Sequence, residues 1–113
     1  MKLVYVCSPL KGEYEKNIEK ARKYCKEIIE KYPDSIPIAP YIYFTQFIDD
    51  ENERDREIGM RAGLGLLDRC REIWVFEKNI SDGMKKEIQH ALKMGITVVD
   101  GFKMLEDKGA EES

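Results

Sequence analysis

The chain has 113 residues, of which 42% are apolar and 36% charged, and it carries a net charge of −3. That length suits one domain with a modest core, burying about two-thirds of the unfolded surface, and the composition is that of a soluble globular protein. The acidic balance (isoelectric point near 5.3), without a dominant basic stripe, argues against a nucleic-acid polymer as partner, and no apolar run approaches the roughly 18 residues of a membrane span.

Residues 2–7 (KLVYVC) are β-branched and aromatic and read as a buried strand, which Ser8-Pro9-Leu10-Lys11-Gly12 breaks with a loop. From Glu13 to Tyr32 the apolar residues Tyr14, Ile18, Ala21, Cys25, Ile28, Ile29 and Tyr32 recur every three or four positions, which predicts a long amphipathic helix. Its other faces interleave Lys and Glu, as a solvated helix does. Pro33-Asp34-Ser35 ends it, and Ile36–Ala39 reads as a short second strand.

The stretch from Pro40 to Asp50 concentrates Tyr41, Tyr43, Phe44 and Phe47 without clean periodicity, and Pro40 resists a strand interior. A second helix is expected over about 52–70 with Ile58, Ala62, Leu66, Leu67 and Cys70 inward, followed by a third strand at 72–76. A third helix from about Asp82 to Met94 places Met84, Ile88, Ala91 and Leu92 inward, and Gly95 stops it before a fourth strand at 96–99. A short helix near 101–107 and a frayed polar tail over 109–113 complete one domain, residues 1–108.

This β-α-β-α-β-α-β order predicts a small Rossmann-like, flavodoxin-like α/β fold: three layers around a parallel sheet of four to five strands. Ligands of such sheets sit at the carboxyl ends of the strands, near the switch in strand order. Ser8–Gly12, Pro40–Phe47 and Glu77–Gly83 should therefore border one crevice.

Three constellations in that crevice could carry chemistry. Ser8, Lys11 and Gly12 precede a helix whose N-terminal amides and dipole favour an anion; an ordinary strand-to-helix turn is the alternative. Ser81 or Asp82 caps the third helix and Gly83 permits close approach of a ligand, while Glu87, one turn in, flanks the buried stripe. A surface glutamate paired with a lysine would look the same. The aromatics Tyr41, Tyr43 and Phe44 suit a nucleobase pocket, or simply pack a core or an interface. His90, at i+3 from Glu87, could orient a carboxylate or lie on the surface. Cys7 reads as packing, because no second histidine is available to activate it.

Cys7, Cys25 and Cys70 are odd in number and widely spaced, as reduced thiols are, and Met1–Cys7 is too short an apolar stretch for a signal peptide. A cytoplasmic location is expected, with neither metal nor cofactor, since there is one histidine and no CxxC pair.

Val4–Gly12 ahead of a helix, together with Ser81-x-Gly83-x-x-x-Glu87, resembles the nucleoside 2-deoxyribosyltransferase superfamily. The nearer branch is the 2'-deoxynucleoside 5'-phosphate N-hydrolases, which have Ser where the transferases have Asp. The stretches Ile38–Gln46 and Ser81–Glu87 look like a small uncharacterised phage and bacterial domain grouped with that superfamily. The resemblance spans residues 2–100 and implies cleavage of the N-glycosidic bond of a nucleoside 5'-monophosphate. It assigns the attacking carboxylate to Glu87, a supporting hydrogen bond to Tyr5, and the 5'-phosphate to Ser81 and the loop ending in Lys11-Gly12. It also implies a homodimer or larger homo-oligomer, using the second helix and part of 41–50. The family's acid for the departing base falls near Leu64, which is not acidic; Glu57 or Asp55 could substitute from an earlier turn. The alternative function is a non-catalytic module that senses or sequesters a nucleotide.

Overall fold

The computed structural model describes residues 1–49 and 51–112, with side chains described up to Glu106. Four parallel strands, β1 (Lys2–Cys7), β2 (Ser35–Ile38), β3 (Glu72–Val75) and β4 (Thr97–Asp100), are arranged in the order β2-β1-β3-β4. Order reverses between β1 and β3, whose register pairs Tyr5 with Ile73 and Cys7 with Val75. The strand ends stay joined beyond the sheet, where the Phe76 amide donates to the Cys7 carbonyl.

The helices are α1 (Tyr14–Lys31), α2 (Pro40–Phe44), α3 (Glu53–Leu67), α4 (Asp82–Lys93) and α5 (Gly101–Glu112). α1 and α5 cover one face of the sheet, α3 and α4 the other. β1 shows why this works. Successive strand side chains point to opposite faces, so Val4 and Val6 join Ile28, Trp74, Phe76 and Leu105 on the first side. Tyr5 and Cys7 join Leu67, Cys70, Ile73, Met84, Ala91 and Ile96 on the second. Trp74 is fully buried yet satisfied, because its Nε1 donates to Glu72 Oε1 at 2.8 Å, and Lys2 Nζ holds the other oxygen of Glu72 at 3.0 Å. The turn into α5 presses against Phe76, where a Cβ on Gly101 would lie 2.5 Å from the ring; only glycine fits.

The expected α/β fold is observed, with four strands, and several elements differ in detail. The aromatic stretch after β2 begins with a five-residue helix, and Pro40 sits in its first turn, where the missing N–H costs nothing. The inward face of α3 departs in part from the expected one. Leu67 and Cys70 are buried as expected, but Ile58 and Leu66 are exposed, while Gly63 is buried and Leu64 packs on the core. Leu92 of α4, expected inside, is 63% exposed, so the buried stripe narrows to Met84, Ile88 and Ala91. β4 is an edge strand and mostly exposed rather than covered on both faces. α5 extends further than expected, and the tail foreseen over 109–113 lies, in its side chains and in Ser113, outside the described residues.

Candidate functional site

Glu87 stands where the sequence pattern put it, on the flank of the α4 stripe one turn beyond the cap. The cap is Ser81, whose Oγ accepts the Met84 amide at 3.3 Å. From that height the Glu87 side chain reaches down to β1. Tyr5 and Cys7, two residues apart on one strand face, meet it together. The Tyr5 hydroxyl donates to Glu87 Oε2, and the Cys7 thiol donates to Oε1 at 3.4 Å. Glu87 as a residue is half-buried, and its two oxygens engage residues that water barely reaches: Tyr5 is 1% and Cys7 0% exposed.

The electrostatics follow from that placement. Burial pushes the Glu87 carboxyl up to about 7, against the hydrogen bonds from Tyr5 and Cys7, which favour the ionised form. Burial, and then the neighbouring Glu87, hold the Tyr5 phenol and the Cys7 thiol well above their ordinary values. Cys7 is thus a protonated donor rather than a nucleophile. Tyr41 is raised by the same two causes.

The loop after β1 is fixed from two sides. The Ser8 side chain, buried, hydrogen-bonds the Tyr41 hydroxyl from α2. Asn17, buried on the first turns of α1, donates from Nδ2 to the Leu10 carbonyl at 3.0 Å. Gly12 takes φ +108°, which turns the chain into α1, and Lys11 is exposed beside it. α3 closes the remaining side with small and apolar groups. A Cβ on Gly63 would lie 3.4 Å from the Tyr5 hydroxyl, and one on Gly83 would lie 3.7 Å from Met60 Cε. Residues 60, 63, 64 and 67 share this helix face by their spacing.

The structure thus brings together two hydrogen-bonded pairs, Tyr5 with Glu87 and Ser8 with Tyr41, close enough for the Glu87 charge to act on Tyr41. Ser81 caps the helix that carries Glu87, and Gly83 lies in its first turn, facing Met60 of α3. Tyr43 lies apart: it is 62% exposed and packs with Phe44 and Phe47 in a surface cluster of rings 5.1–5.9 Å apart. Two residues apart on a helix, Tyr41 and Tyr43 face opposite ways. His90 turns away from Glu87, its Nε2 lying 2.5 Å from Asp68 Oδ1. Leu64 packs in the core, Glu57 is exposed, and Asp55 is occupied at the start of α3, its Oδ2 accepting the Asp49 amide at 3.0 Å.

Sequence reasoning missed the thiol contact of Cys7 and the anchoring role of Asn17. A polar residue in the apolar register of α1 was the available signal for the second. Two open clefts, of about 610 and 830 Å³, border the region without Glu87 in their walls; Tyr14 and Phe47 line one, Ile88 and Asp100 the other. Among the described residues no three His, Cys, Asp or Glu side chains gather as a metal site would require, and no helix is long and apolar enough to cross a membrane.

No curated protein matches the sequence. Among solved structures the chain is similar to a 2-deoxyribosyltransferase from the psychrotolerant bacterium Bacillus psychrosaccharolyticus, described as a biocatalyst for synthesis of antiviral and antitumoral nucleosides. The TM-score is 0.65 with 14% identity, over 85% of this chain and 69% of that one. At that identity the likeness is one of fold. The sequence model of one family matches residues 2–100, and the chain belongs to that family, the domain of unknown function DUF7768.

Proposed function

We propose that this protein is a nucleotide N-glycosidase or deoxyribosyltransferase-like enzyme, with Glu87 as the attacking carboxylate. One observation carries the reading: a carboxylate held by two donors from one strand, at the switch point of a parallel sheet. Cleaving a glycosidic bond develops positive charge at C1', and a fixed carboxylate can stabilise that charge or trap it as an ester. The C1'–N bond breaks with its electron pair passing to the base, while a Glu87 oxygen bonds C1'. Water, or a second base in a transferase, then displaces the carboxylate. Tyr5 and Cys7 keep both oxygens oriented, and the raised Glu87 value makes activity rise with pH through about 7.

The β1 loop (Ser8, Lys11, Gly12) and the capped start of α4 (Ser81, Gly83) are the proposed 5'-phosphate site, and Tyr41 the nearest aromatic for a base. The fold shared with a 2-deoxyribosyltransferase supports a nucleoside ligand. A non-catalytic nucleotide-binding module is the second reading; the absence of a carboxylic acid from the α3 face favours it.

Chromatography of free base released from a panel of ribo- and deoxyribonucleoside monophosphates tests the enzyme. Calorimetry of one monophosphate against its nucleoside tests the phosphate site. Release from at least one nucleotide, with tighter binding of the phosphorylated member, is expected. Tight binding without release from any would replace the enzyme with the binding module.

A further inference from the structure

Departing bases impose a requirement that this site meets in only one way. When a neutral base leaves, the electron pair of the broken C1'–N bond makes it an anion, which a nearby acid must protonate. Positioned acids contribute about 10²–10⁴-fold in rate. The face that α3 turns toward the cluster carries Met60, Gly63, Leu64 and Leu67, none of which can give a proton. The acids of α3 are elsewhere: Glu53 and Glu57 are exposed, and Asp55 is engaged with the Asp49 amide. His90 is paired with Asp68. Among the described residues, the protons near Glu87 belong to Tyr5, Cys7 and Tyr41, and burial holds all three more tightly than usual.

Resting on the glycosidase reading, we infer that the substrate is a nucleotide whose base already carries a fixed positive charge, an N-ribosyl pyridinium or an N7-alkylated purine. For such a base the electron pair of the breaking bond neutralises the ring, and it departs as a stable neutral molecule with no proton supplied. A Glu87 oxygen takes C1' as the ester; water then displaces it and releases one proton to solvent. The ground state fits too. Among the described residues, no cation is hydrogen-bonded or ion-paired to Glu87, so a cationic ring beside it would supply the missing countercharge and favour the ionised carboxylate.

The test is base release by the full chain at neutral pH from nicotinamide mononucleotide, 7-methylguanosine monophosphate, guanosine monophosphate and cytidine monophosphate. Each rate is taken over its enzyme-free control. At least one cationic substrate is expected to exceed both neutral ones by about 100-fold or more. Its pH profile should rise once, as Glu87 ionises, without a falling limb from an acid. Release from pyridinium alone, or from methylated purine alone, identifies the ring admitted and supports the inference. Neutral bases released within about tenfold of the cationic ones would overturn it and leave the glycosidase reading standing. No release from any of the four, with other nucleotides also inert, would overturn the glycosidase reading and the inference together.

Discussion

The two faces of β1 are built from neighbouring residues and do opposite work. On one side Val4 and Val6 pack with Ile28, Trp74, Phe76 and Leu105, and Tyr24 stacks on Phe76 with ring centroids 4.2 Å apart. The polar groups there are tied into the structure, as the Trp74 indole is to Glu72. On the other side Tyr5 and Cys7 hold an ionisable carboxylate that would be better solvated elsewhere. One strand therefore separates a face that contributes stability from a face that forgoes some of it to hold a charge in place. Substitutions on the two sides should differ in kind.

Trp74→Ala should have the largest effect on folding, about 3–5 kcal/mol lost in urea titration, with no dependence on Glu87 ionisation. A loss below about 1 kcal/mol would mean that the first face is not the stabilising one.

Glu87→Gln should do the reverse and stabilise. In the unfolded chain this carboxyl ionises near 4.5, and in the folded protein near 7. Between those values the unfolded state has released more protons, so stability falls as pH rises and levels off above about 7. Removing the group should raise stability by roughly 2–3 kcal/mol at about pH 8 and change little below about pH 4.5. Thermal melts of both proteins across that range show the effect; parallel curves would remove the buried-charge argument.

Tyr5→Phe removes one of the donors that favour the ionised carboxylate. It should cost about 1 kcal/mol and move the Glu87 titration to higher pH, read by carbon NMR of labelled glutamate. An unchanged titration would disconnect Tyr5 from the carboxylate.

The smallest stability change is expected at the exposed ring cluster. The double substitution Tyr43→Ser, Phe47→Ser should alter stability by less than about 0.5 kcal/mol. If this cluster and the exposed Ile58 and Leu66 of α3 form the proposed subunit contact, light scattering should fall to the 13.2 kDa monomer mass from a multiple of it. A wild type already at monomer mass would end that proposal.

Much of this was readable in the sequence, for physical reasons. β1, α1 and α4 announce themselves through periodicity, and Glu87 through its distance from the Ser81 cap. Residues joined only by the fold were less legible. Tyr41 meets Ser8 across 33 positions and Cys7 meets Glu87 across 80, and no local pattern encodes either pairing. The face of α3 was misplaced in part, with Leu67 inward as expected but Ile58 and Leu66 not, because its key position is Gly63, where the missing side chain makes the contact possible, and a count of apolar residues gives glycine no weight. Pro40 disguised α2, since a proline that opens a helix resembles one that breaks a strand.

The central claim is that the Glu87 carboxylate, held by Tyr5 and Cys7, is the reacting group. Its most direct test compares base release by wild type and Glu87→Gln on the best nucleotide of the panel, with calorimetric affinity for the same nucleotide measured in parallel. Release should drop by about 10³-fold or more in a variant that folds and still binds. A Glu87→Gln protein that releases base at the wild-type rate would contradict the account.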